Sequence, residues 1–495
     1  MPDNQRLKTG VAGFDDIMNG GFPANYFYLL EGDPGAGKTT LALQFLLEGI
    51  RNGENVLYVT LSETRKELEA VARSHGWNLE KIPIFELFSE RGQLSLDDHY
   101  TVFHPSDVEL ADTARTVITE VEKINPTRLV IDSLAELRML AREPIVYRRQ
   151  IMAFKHHFEG SHCTVLLLDD RTGRSADMQL QSIVHGVITM EKLSREYGIT
   201  RRRLESTKMR GMQVREGFHD YIIRKGGVCV FPRMEASKHQ KQFEIEPIAS
   251  GVSELDRLLG GGIDRGTSTL LVGPAGCGKS TVALQFASAA ANRAERVCFY
   301  TFEESQHTFM ERARGLHIDL QTPLEKGILE VEQLDPAILS PGEFVENIRA
   351  AVEERNTRMV VIDSLNGFLK AMPGEDFLAI QLHELLTFLN QQGVVTIMVL
   401  AQAGVIGSNM QSPVDVSYLA DAILLLRYFE AYGEVRQAIS VVKKRSGRHE
   451  RTIRELQLGP NGVRVGEPLR NFQGVLSGTP TFLGGSAAVD STAAD

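Results

Sequence analysis

The sequence predicts an α/β protein made of two similar domains in tandem, each a mostly parallel sheet flanked by helices. Short runs of β-branched and aliphatic residues alternate with helical stretches, which is typical of parallel strands joined by crossover helices. A glycine-rich motif that contains Lys38 recurs around Lys279, and the segments on both sides of it recur at the same spacing. We therefore predict that the fold is duplicated within one chain.

The first glycine-rich motif reads Gly-Asp-Pro-Gly-Ala-Gly-Lys-Thr-Thr over residues 32–40, directly after the apolar run at 26–30. It fits the phosphate-binding loop G-x-x-x-x-G-K-[ST], in which glycines let successive backbone N–H groups turn toward the phosphates of a nucleotide. The lysine reaches the terminal phosphates, the following hydroxyl ligates Mg²⁺, and the next helix adds its positive dipole end. The predicted nucleotide-binding residues are Gly35, Ala36, Gly37, Lys38, Thr39 and Thr40.

The second copy of the motif, at 273–281, follows the apolar run at 268–272 and predicts a second nucleotide site. Its predicted binding residues are Gly276, Cys277, Gly278, Lys279, Ser280 and Thr281. A Ser/Thr-Gly-Val segment precedes each motif, and an acidic strand end follows each one. The predicted organisation has four parts: a first domain at 1–235, a linker at 236–249, a second domain at 250–476 and a flexible tail at 477–495.

The strands and helices of the first domain follow from its apolar periodicity. Strands are predicted at 26–30, 56–60, 128–132, 164–168 and 186–190, with a later hairpin at 201–209 and 221–224. Helices are predicted at 39–51, 64–75 and 147–158. The second domain repeats this order, with strands at 268–272, 297–301, 359–363, 394–400, 422–426 and 438–443.

Composition narrows the class of protein. The 495 residues carry a formal net charge of −10, which argues against a general nucleic-acid partner. No apolar run is long enough to span a membrane, and the first residues lack the pattern of a signal peptide. The four cysteines have no metal-binding spacing, which favours reduced buried thiols. We therefore expect a cytoplasmic protein.

Hydrolysis of a nucleotide needs a metal-organising carboxylate and a carboxylate that activates water. Asp132 and Asp363 each end an apolar strand in the string Ile-Asp-Ser-Leu, at the edge of a parallel sheet where ligands bind. The acidic end of the strand after each P-loop helix supplies the second carboxylate: Glu63 in the first domain, and Glu303 or Glu304 in the second. The sequence leaves the choice between Glu303 and Glu304 open.

A basic pair lies on the late hairpin strand of each half. The pairs are Lys208 with Arg210 and Lys443 with Arg445. Each could be a solvated strand end, but the recurrence in both halves favours contact with a nucleotide, including one held by a neighbouring subunit.

Together these motifs resemble the KaiC family, the ATPases of the bacterial circadian oscillator, over roughly residues 8–482. Further matching strings are Ala-Arg-Ser-His-Gly-Trp at 72–77 and Arg-Asn-Phe at 470–472, followed by Ser-Gly-Thr-Pro at 477–480. The resemblance implies two RecA-like domains and a double-ring homohexamer with ATP and Mg²⁺ at subunit junctions. It also implies ATP hydrolysis in the first ring, and Ser/Thr autophosphorylation in the second.

When the family's roles are transferred to matching positions, the resemblance implies that Mg²⁺ is bound by the hydroxyls of Thr39 and Ser280 and by the carboxylates of Asp132 and Asp363. It adds Ser74 to the nucleotide site, and it places the two basic pairs against ATP on the adjacent subunit. The family's phosphoacceptor pair falls on Ser417 and Tyr418, and an upstream acceptor falls on Ser412. Kai-type or other signalling proteins would be its partners.

The chain also departs from the family. Ser62 replaces one carboxylate of the first domain's acidic pair, which puts the strength of that ATPase in doubt. Tyr418 is too long for the geometry of a Thr acceptor. The tail that recruits the clock's activating partner is replaced by Gly-Gly-Ser-Ala-Ala-Val at 484–489.

Two alternatives from other classes stay open. One is a DNA-dependent motor of the RecA or DnaB type. The acidic net charge and the nearly neutral segment at 366–375 argue against this alternative. The other is a scaffold that binds nucleotide without hydrolysing it.

Overall fold

A computed structural model of the chain describes residues 5–87, 105–141, 143–171, 177–194, 198–370, 377–402, 417–460, 462–476 and 480–483. It forms two compact units, Met1–Arg233 and Met234–Asp495. Each unit contains one nine-stranded sheet, mixed in direction but parallel through its centre.

The sheet of the first unit has the order β11-β10-β9-β8-β3-β7-β6-β4-β5. The six strands from β8 to β5 run parallel, and β8 to β11 are joined by antiparallel pairs. Its strands are β3 (Phe27–Gly32), β4 (Val56–Thr60), β5 (Ile84–Glu86), β6 (Arg128–Asp132), β7 (Thr164–Asp170), β8 (Gly186–Leu193), β9 (Arg201–Met209), β10 (His219–Arg224) and β11 (Gly227–Phe231). A small ladder of β1 (Arg6–Leu7) and β2 (Phe22–Pro23) precedes it.

Helices connect the parallel strands of the first unit. They are α1 (Phe14–Ile17), α2 (Lys38–Arg51), α3 (Arg65–His75), α4 (Pro105–Ile124), α5 (Leu134–Leu140), α6 (Pro144–Phe158) and α7 (Asp177–Ile183). Apolar side chains from both faces of the sheet pack into two buried clusters, one of which includes α2 and the other α6. The central strands are buried along their whole length, which accounts for their nearly continuous apolar sequences.

The second unit repeats this sheet in the order β16-β15-β17-β18-β14-β19-β20-β21-β22. Its strands are β14 (Ser268–Gly273), β15 (Val297–Thr301), β16 (Leu329–Gln333), β17 (Met359–Asp363), β18 (Val395–Ala401), β19 (Ala422–Ala431), β20 (Glu434–Lys444), β21 (Arg454–Gly459) and β22 (Gly462–Pro468). Two-stranded ladders flank it, formed by β12 (Pro247–Ile248) with β13 (Ile263–Asp264) and by β23 (Phe472–Gln473) with β24 (Thr481–Phe482).

Most helices of the second unit occupy the same places in the order of elements, but α11 has no counterpart in the described part of the first unit. They are α8 (Ser253–Leu258), α9 (Lys279–Asn292), α10 (Gln306–Gly315), α11 (Gln321–Glu325), α12 (Pro341–Glu353), α13 (Leu365–Lys370) and α14 (Phe377–Gln391), with a 3₁₀ turn at Ala236–Lys238. Two buried clusters again cover the two faces of the sheet.

The predicted fold class is confirmed, because both units are mostly parallel sheets covered by helices and their strand orders are equivalent. The hairpin of β19 and β20 is longer than predicted. Its outer part alternates between buried and exposed residues, and Tyr432 and Val435 at its tip are exposed, so it lacks the continuous apolar signal of a central strand.

The segment predicted as a linker, 236–249, packs against the second unit. Ala236 is buried in one of that unit's apolar clusters, and His239 lies 2.8 Å from the carboxylate of Glu353. Of the predicted tail, the described residues 480–483 contain β24, and 484–495 lie outside the described part of the chain. In the described residues no helix is long and apolar enough to cross a membrane.

Arg128 anchors the first unit from within, at the start of β6. Its side chain is fully buried and donates to both carboxylate oxygens of Glu54, at 2.6 and 2.9 Å. It also donates to the carbonyls of Lys8 and Phe45, at 2.7 and 2.9 Å. One buried cation therefore joins the N-terminal segment, α2 and the β4 loop to the centre of the sheet.

Replacing Arg128 with Ala should lower the free energy of unfolding of the first unit by about 3–5 kcal/mol, because a carboxylate and two buried carbonyls lose their donor. Fluorescence of the single tryptophan, Trp77, reports on this unit during urea denaturation. Arg115→Ala is the control: Arg115 pairs with Asp112 on an exposed helix face and should cost less than about 1 kcal/mol. Equal losses for the two variants would contradict the anchoring role.

Candidate active site

The P-loop of each unit connects a central strand to a helix. In the first unit Gly37 has φ of 100° and immediately precedes α2; in the second, Gly278 has φ of 98° and precedes α9. A Cβ at Gly37 would lie 2.5 Å from the side chain of Ile223, so a larger residue would displace the loop. The helix begins at the P-loop lysine in both units, which directs its first N–H groups toward the loop.

Lys38 is held by oxygens at the carboxyl edge of the sheet. Its ammonium donates to the carbonyls of Gly32 and Asp33, at 3.0 and 3.1 Å, and pairs with the Asp170 carboxylate at 2.6 Å. Asp170 ends β7, the strand beside the P-loop strand. The sequence analysis did not select Asp170, although its place at a strand end next to the P-loop strand is a signal that could have found it.

Asp132, a predicted metal ligand, lies beside the P-loop hydroxyl of the first unit. The Thr39 hydroxyl donates to its Oδ2 at 3.1 Å, and the Tyr58 hydroxyl donates to the same oxygen at 2.5 Å. Burial raises the pKa of the Asp132 carboxyl above its usual value, while the hydrogen bonds from Tyr58 and Thr39 oppose that shift. Tyr58 is a second contact that the sequence analysis missed, and Phe299 takes its place in the second unit.

Glu63 follows β4 at the same edge of the sheet. The Thr60 hydroxyl donates to its carbonyl at 2.6 Å and accepts from its N–H at 2.9 Å, which fixes the backbone of the turn. Oε2 of Glu63 is buried and has no hydrogen-bond partner among the described residues. Burial first, and then the negative charge of Asp132, raise the pKa of Glu63 to about 7, against the attraction of Lys38. This carboxyl can therefore exchange a proton near neutral pH.

The second unit builds the same edge with different contacts. The Lys279 ammonium donates to the carbonyl of Pro274 at 2.6 Å. Burial raises the pKa of Asp363, while a hydrogen bond from Ser280 and the positive charge of Arg312 oppose that shift. A cavity of about 600 Å³ lies over the loop. It is lined by Gly276, Gly278, Lys279, Ser280, Thr281, Thr301, Glu303, Glu304, Ser305, Thr308, Arg312, Asp363 and Leu458.

The two carboxylates left open by the sequence have different partners. The Ser364 hydroxyl donates to Glu303 at 3.1 Å. Both oxygens of Glu304 accept from Arg312, from its Nε at 3.1 Å and its Nη2 at 2.5 Å. The Thr301 hydroxyl holds the Glu304 backbone as Thr60 holds that of Glu63, so Glu304 is the positional counterpart of Glu63. Arg312 is a third residue that the sequence analysis missed.

The structure places the basic pair of the first unit at the other end of the sheet. Met209, between Lys208 and Arg210, pairs with Gly186, which is in register with Tyr28 at the start of the P-loop strand. The P-loop begins four residues later, about 13 Å along the strand. Lys208 and Arg210 therefore lie far from their own P-loop.

Their side chains also turn toward that far end. Lys208 donates to the carbonyl of Val184 at 2.9 Å, and Arg210 donates to that of Ser182 at 2.8 Å. Burial lowers the pKa of Lys208, and the positive charges of Arg210 and Lys155 add to that effect. A cavity of about 310 Å³ beside them is lined in part by Lys155 and Arg210. The cluster can accept an anion from outside the unit.

The second unit repeats this arrangement and adds the candidate phosphoacceptor. Lys443 is in register with Ile423, which pairs with Leu270 early in the P-loop strand. Its ammonium donates to the carbonyl of Ser417 at 2.9 Å, while Arg445 donates to the carbonyl of Tyr418 at 2.9 Å. Ser417 is exposed and lies beside the basic pair, so the two predicted features come together.

The predicted site residues also include Ser412, Ser74, Thr40 and Thr281. Ser412 lies outside the residues that the structure describes. Ser74 is exposed near the end of α3, and its hydroxyl donates to the Val71 carbonyl at 2.6 Å. Thr40 and Thr281 are buried in the first turns of their helices.

The residues present fit a magnesium nucleotide. Each P-loop places a hydroxyl beside a buried aspartate, the pair that would hold Mg²⁺: Thr39 with Asp132 and Ser280 with Asp363. The buried, unpartnered oxygen of Glu63 adds an acceptor at the same edge. This donor set of hydroxyl and carboxylate oxygens is the type that Mg²⁺ prefers.

Comparison with known proteins agrees with this geometry. The family model described as "ATPase: KaiC" matches the chain twice, over residues 7–235 and 248–470. The circadian clock protein KaiC3 of Synechocystis sp. is 28% identical over 496 residues, which cover 97% of this chain and 95% of that protein. The circadian clock oscillator proteins KaiC of Thermostichus vulcanus and Synechococcus elongatus are 27% and 25% identical, and each comparison covers 97% of this chain and 92% of the relative.

The two matches cover most of the chain, and each includes one P-loop with the carboxylates at its sheet edge. The likeness to the relatives extends over nearly their full length, so the tandem arrangement is shared. The chain belongs to the KaiC family of ATPases and carries two domains of that family in tandem.

Proposed function

We propose that this protein is a homohexameric ATP hydrolase whose second domain phosphorylates Ser417, with Ser412 as a further acceptor, in a timing or signalling role. The observation that carries the proposal is the separation of each basic pair from the P-loop of its own domain. A basic pair that completes an ATP site must then come from another copy of the chain. The names of its relatives, circadian clock proteins, support the timing role.

A head-to-tail ring of identical subunits satisfies this separation. In such an interface one surface of each subunit meets a different surface of the next, and the ring closes when the rotation allows it. The amino edge of one sheet, with Lys208 and Arg210, would face the P-loop edge of the neighbour. The charges of Lys155 and Arg210, which already disfavour the proton on Lys208, would be balanced there by phosphates.

In the first domain the proposed step is hydrolysis. Lys38 would leave Asp170 for the terminal phosphates, and Thr39 and Asp132 would hold Mg²⁺. When bound, Mg²⁺ would neutralise the charge that develops on the phosphate oxygens. Glu63 would accept a proton from the attacking water at its unpartnered oxygen. The products are ADP and inorganic phosphate.

In the second domain the proposed acceptor is the Ser417 hydroxyl of the adjacent subunit. Its oxygen would form a bond to the γ-phosphorus as the bond to the β-phosphate oxygen breaks, and ADP would leave. The hydroxyl proton would pass to Glu303 or Glu304. Contact between Lys443 and the Ser417 carbonyl supports this placement, because the residue that would hold the neighbour's ATP also holds the acceptor's backbone.

Hydrolysis by the first domain should depend on pH through Glu63. A general base must be unprotonated, so a pKa of about 7 predicts that kcat/KM falls roughly tenfold per pH unit below that value and levels off above it. Steady-state hydrolysis by a Lys279→Ala protein isolates this domain. Glu63→Gln should lower kcat/KM by about 10²–10⁴-fold and remove the pH dependence.

Glu69→Gln is the matched control, since Glu69 lies on α3, the helix that follows Glu63, and pairs with Arg73 at the surface. It should leave the profile unchanged. A kcat/KM that stays constant below about pH 7, or a Glu63→Gln variant with full activity, would contradict the role of Glu63 as base.

Phosphorylation should appear on Ser417 when the purified protein is incubated with Mg-ATP. Peptide mapping by mass spectrometry should find its main phosphopeptide there, and Ser417→Ala should abolish it. Ser417→Asp should weaken hexamers, because the added charge competes with ATP phosphates for Lys443 and Arg445. Tyr418→Phe is the control and should leave the phosphopeptide in place. If neither Ser417 nor Ser412 is modified while ATP is hydrolysed, the proposed autophosphorylation is wrong.

A further inference from the structure

The nucleotide cavity of the second domain is lined by Arg312, at a position where the first domain has the apolar residue Val71. Arg312 lies in α10 at the same distance after the N-cap Ser305 as Val71 lies after Thr64 in α3. Its guanidinium holds both oxygens of Glu304, and both side chains are about one-fifth exposed. Apolar Val71 cannot form this pair with Glu63.

This difference changes the availability of the two matching carboxylates. Glu63 has a buried oxygen with no partner in the described part of the chain. Glu304 has a guanidinium across both oxygens, which occupies the positions that would accept a proton. In the arrangement observed, Glu304 is neutralised by an arginine that would have to move before Glu304 could act.

Arg312 is also placed for a role in binding. It lines the same cavity as Lys279 and Ser280, and its charge acts on Asp363, the carboxylate beside the P-loop hydroxyl. Its Nη1 is buried and has no hydrogen-bond partner among the described residues. The guanidinium of a residue that lines the cavity therefore keeps a donor that no hydrogen bond uses.

We propose that Arg312 is a phosphate-contact residue of the second domain, which exchanges Glu304 for the terminal phosphate of ATP and thereby releases Glu304. The inference rests on the proposed function, because it assumes that the second P-loop binds ATP with its terminal phosphate near Glu304. A guanidinium presents a planar set of donors that fits phosphate and carboxylate oxygens alike, so one can replace the other. ADP lacks the terminal phosphate and would leave the Arg312–Glu304 pair closed.

The exchange gives the two domains different ligand preferences. The second domain would hold the phosphates of ATP with both Lys279 and Arg312. In the first domain, Lys38 must first leave the carboxylate of Asp170 before it can bind phosphate. Discrimination between ATP and ADP should therefore be stronger in the second domain. The competing account is that Arg312 only positions Glu304 and never contacts nucleotide.

The test measures the affinities of the full chain for Mg-ATP and Mg-ADP by equilibrium dialysis, in a Lys38→Ala background that silences the first site. Arg312→Val, which installs the residue of the first domain, should reduce the affinity for ATP about tenfold and change that for ADP little. Glu304→Gln should raise the affinity for ATP, because Arg312 no longer has to leave a carboxylate. The double variant should lose ATP affinity as Arg312→Val does.

Arg349→Val is the matched control, because Arg349 forms a similar ion pair with Glu346 and Glu353 outside the cavity. It should leave both affinities unchanged. If Arg312→Val lowers ATP and ADP affinity equally, or leaves their ratio unchanged, Arg312 only positions Glu304 and the inference is wrong. If the Lys38→Ala protein binds no ATP at all, the second nucleotide site itself is wrong, and the proposed function fails with it.

Discussion

The structure depends on a constraint of parallel sheets: the two ends of a strand are chemically different and cannot meet within one domain. In both domains the P-loop, the aspartate proposed to hold Mg²⁺ and the acidic turn lie at the carboxyl end of the strands. The basic pairs lie toward the amino end. In the proposed function a complete ATP site therefore requires two copies of the chain, and assembly and chemistry would depend on the same contact.

Within this shared plan the two domains have diverged in charge. In the first site the P-loop lysine is paired with Asp170, and one buried oxygen of Glu63 has no hydrogen-bond partner among the described residues. Burial raises the pKa of this glutamate. The second has a lysine and an arginine, and that arginine closes over Glu304. Glu63 can take up a proton near neutral pH, which suits continual hydrolysis. The closed pair of Arg312 and Glu304 suits a reaction that begins only when the correct ligand binds.

The sequence predicted the duplication, the P-loops and the carboxylates at the strand ends, because each depends on a local pattern. It could not predict contacts that depend on the order of strands in the sheet or on a helix that brings a later residue back to the site. Asp170 reaches Lys38 only because β7 lies beside β3, and Arg312 reaches Glu304 across two turns of α10. Both residues stand out only when the two repeats are compared position by position. Ala401 occupies the place of Asp170 in the second domain, and Val71 occupies the place of Arg312 in the first.

Mixing two inactive proteins tests whether each ATP site is shared between two subunits. One carries Lys279→Ala, and the other carries Lys443→Ala with Arg445→Ala. Alone, neither should label Ser417 with radioactive phosphate from ATP. In mixed hexamers, label should appear on Ser417 of the Lys279→Ala subunits only, because these keep the basic pair and face a neighbour with an intact P-loop. Label that never appears in the mixture, or that appears on the other subunit, would contradict a shared site.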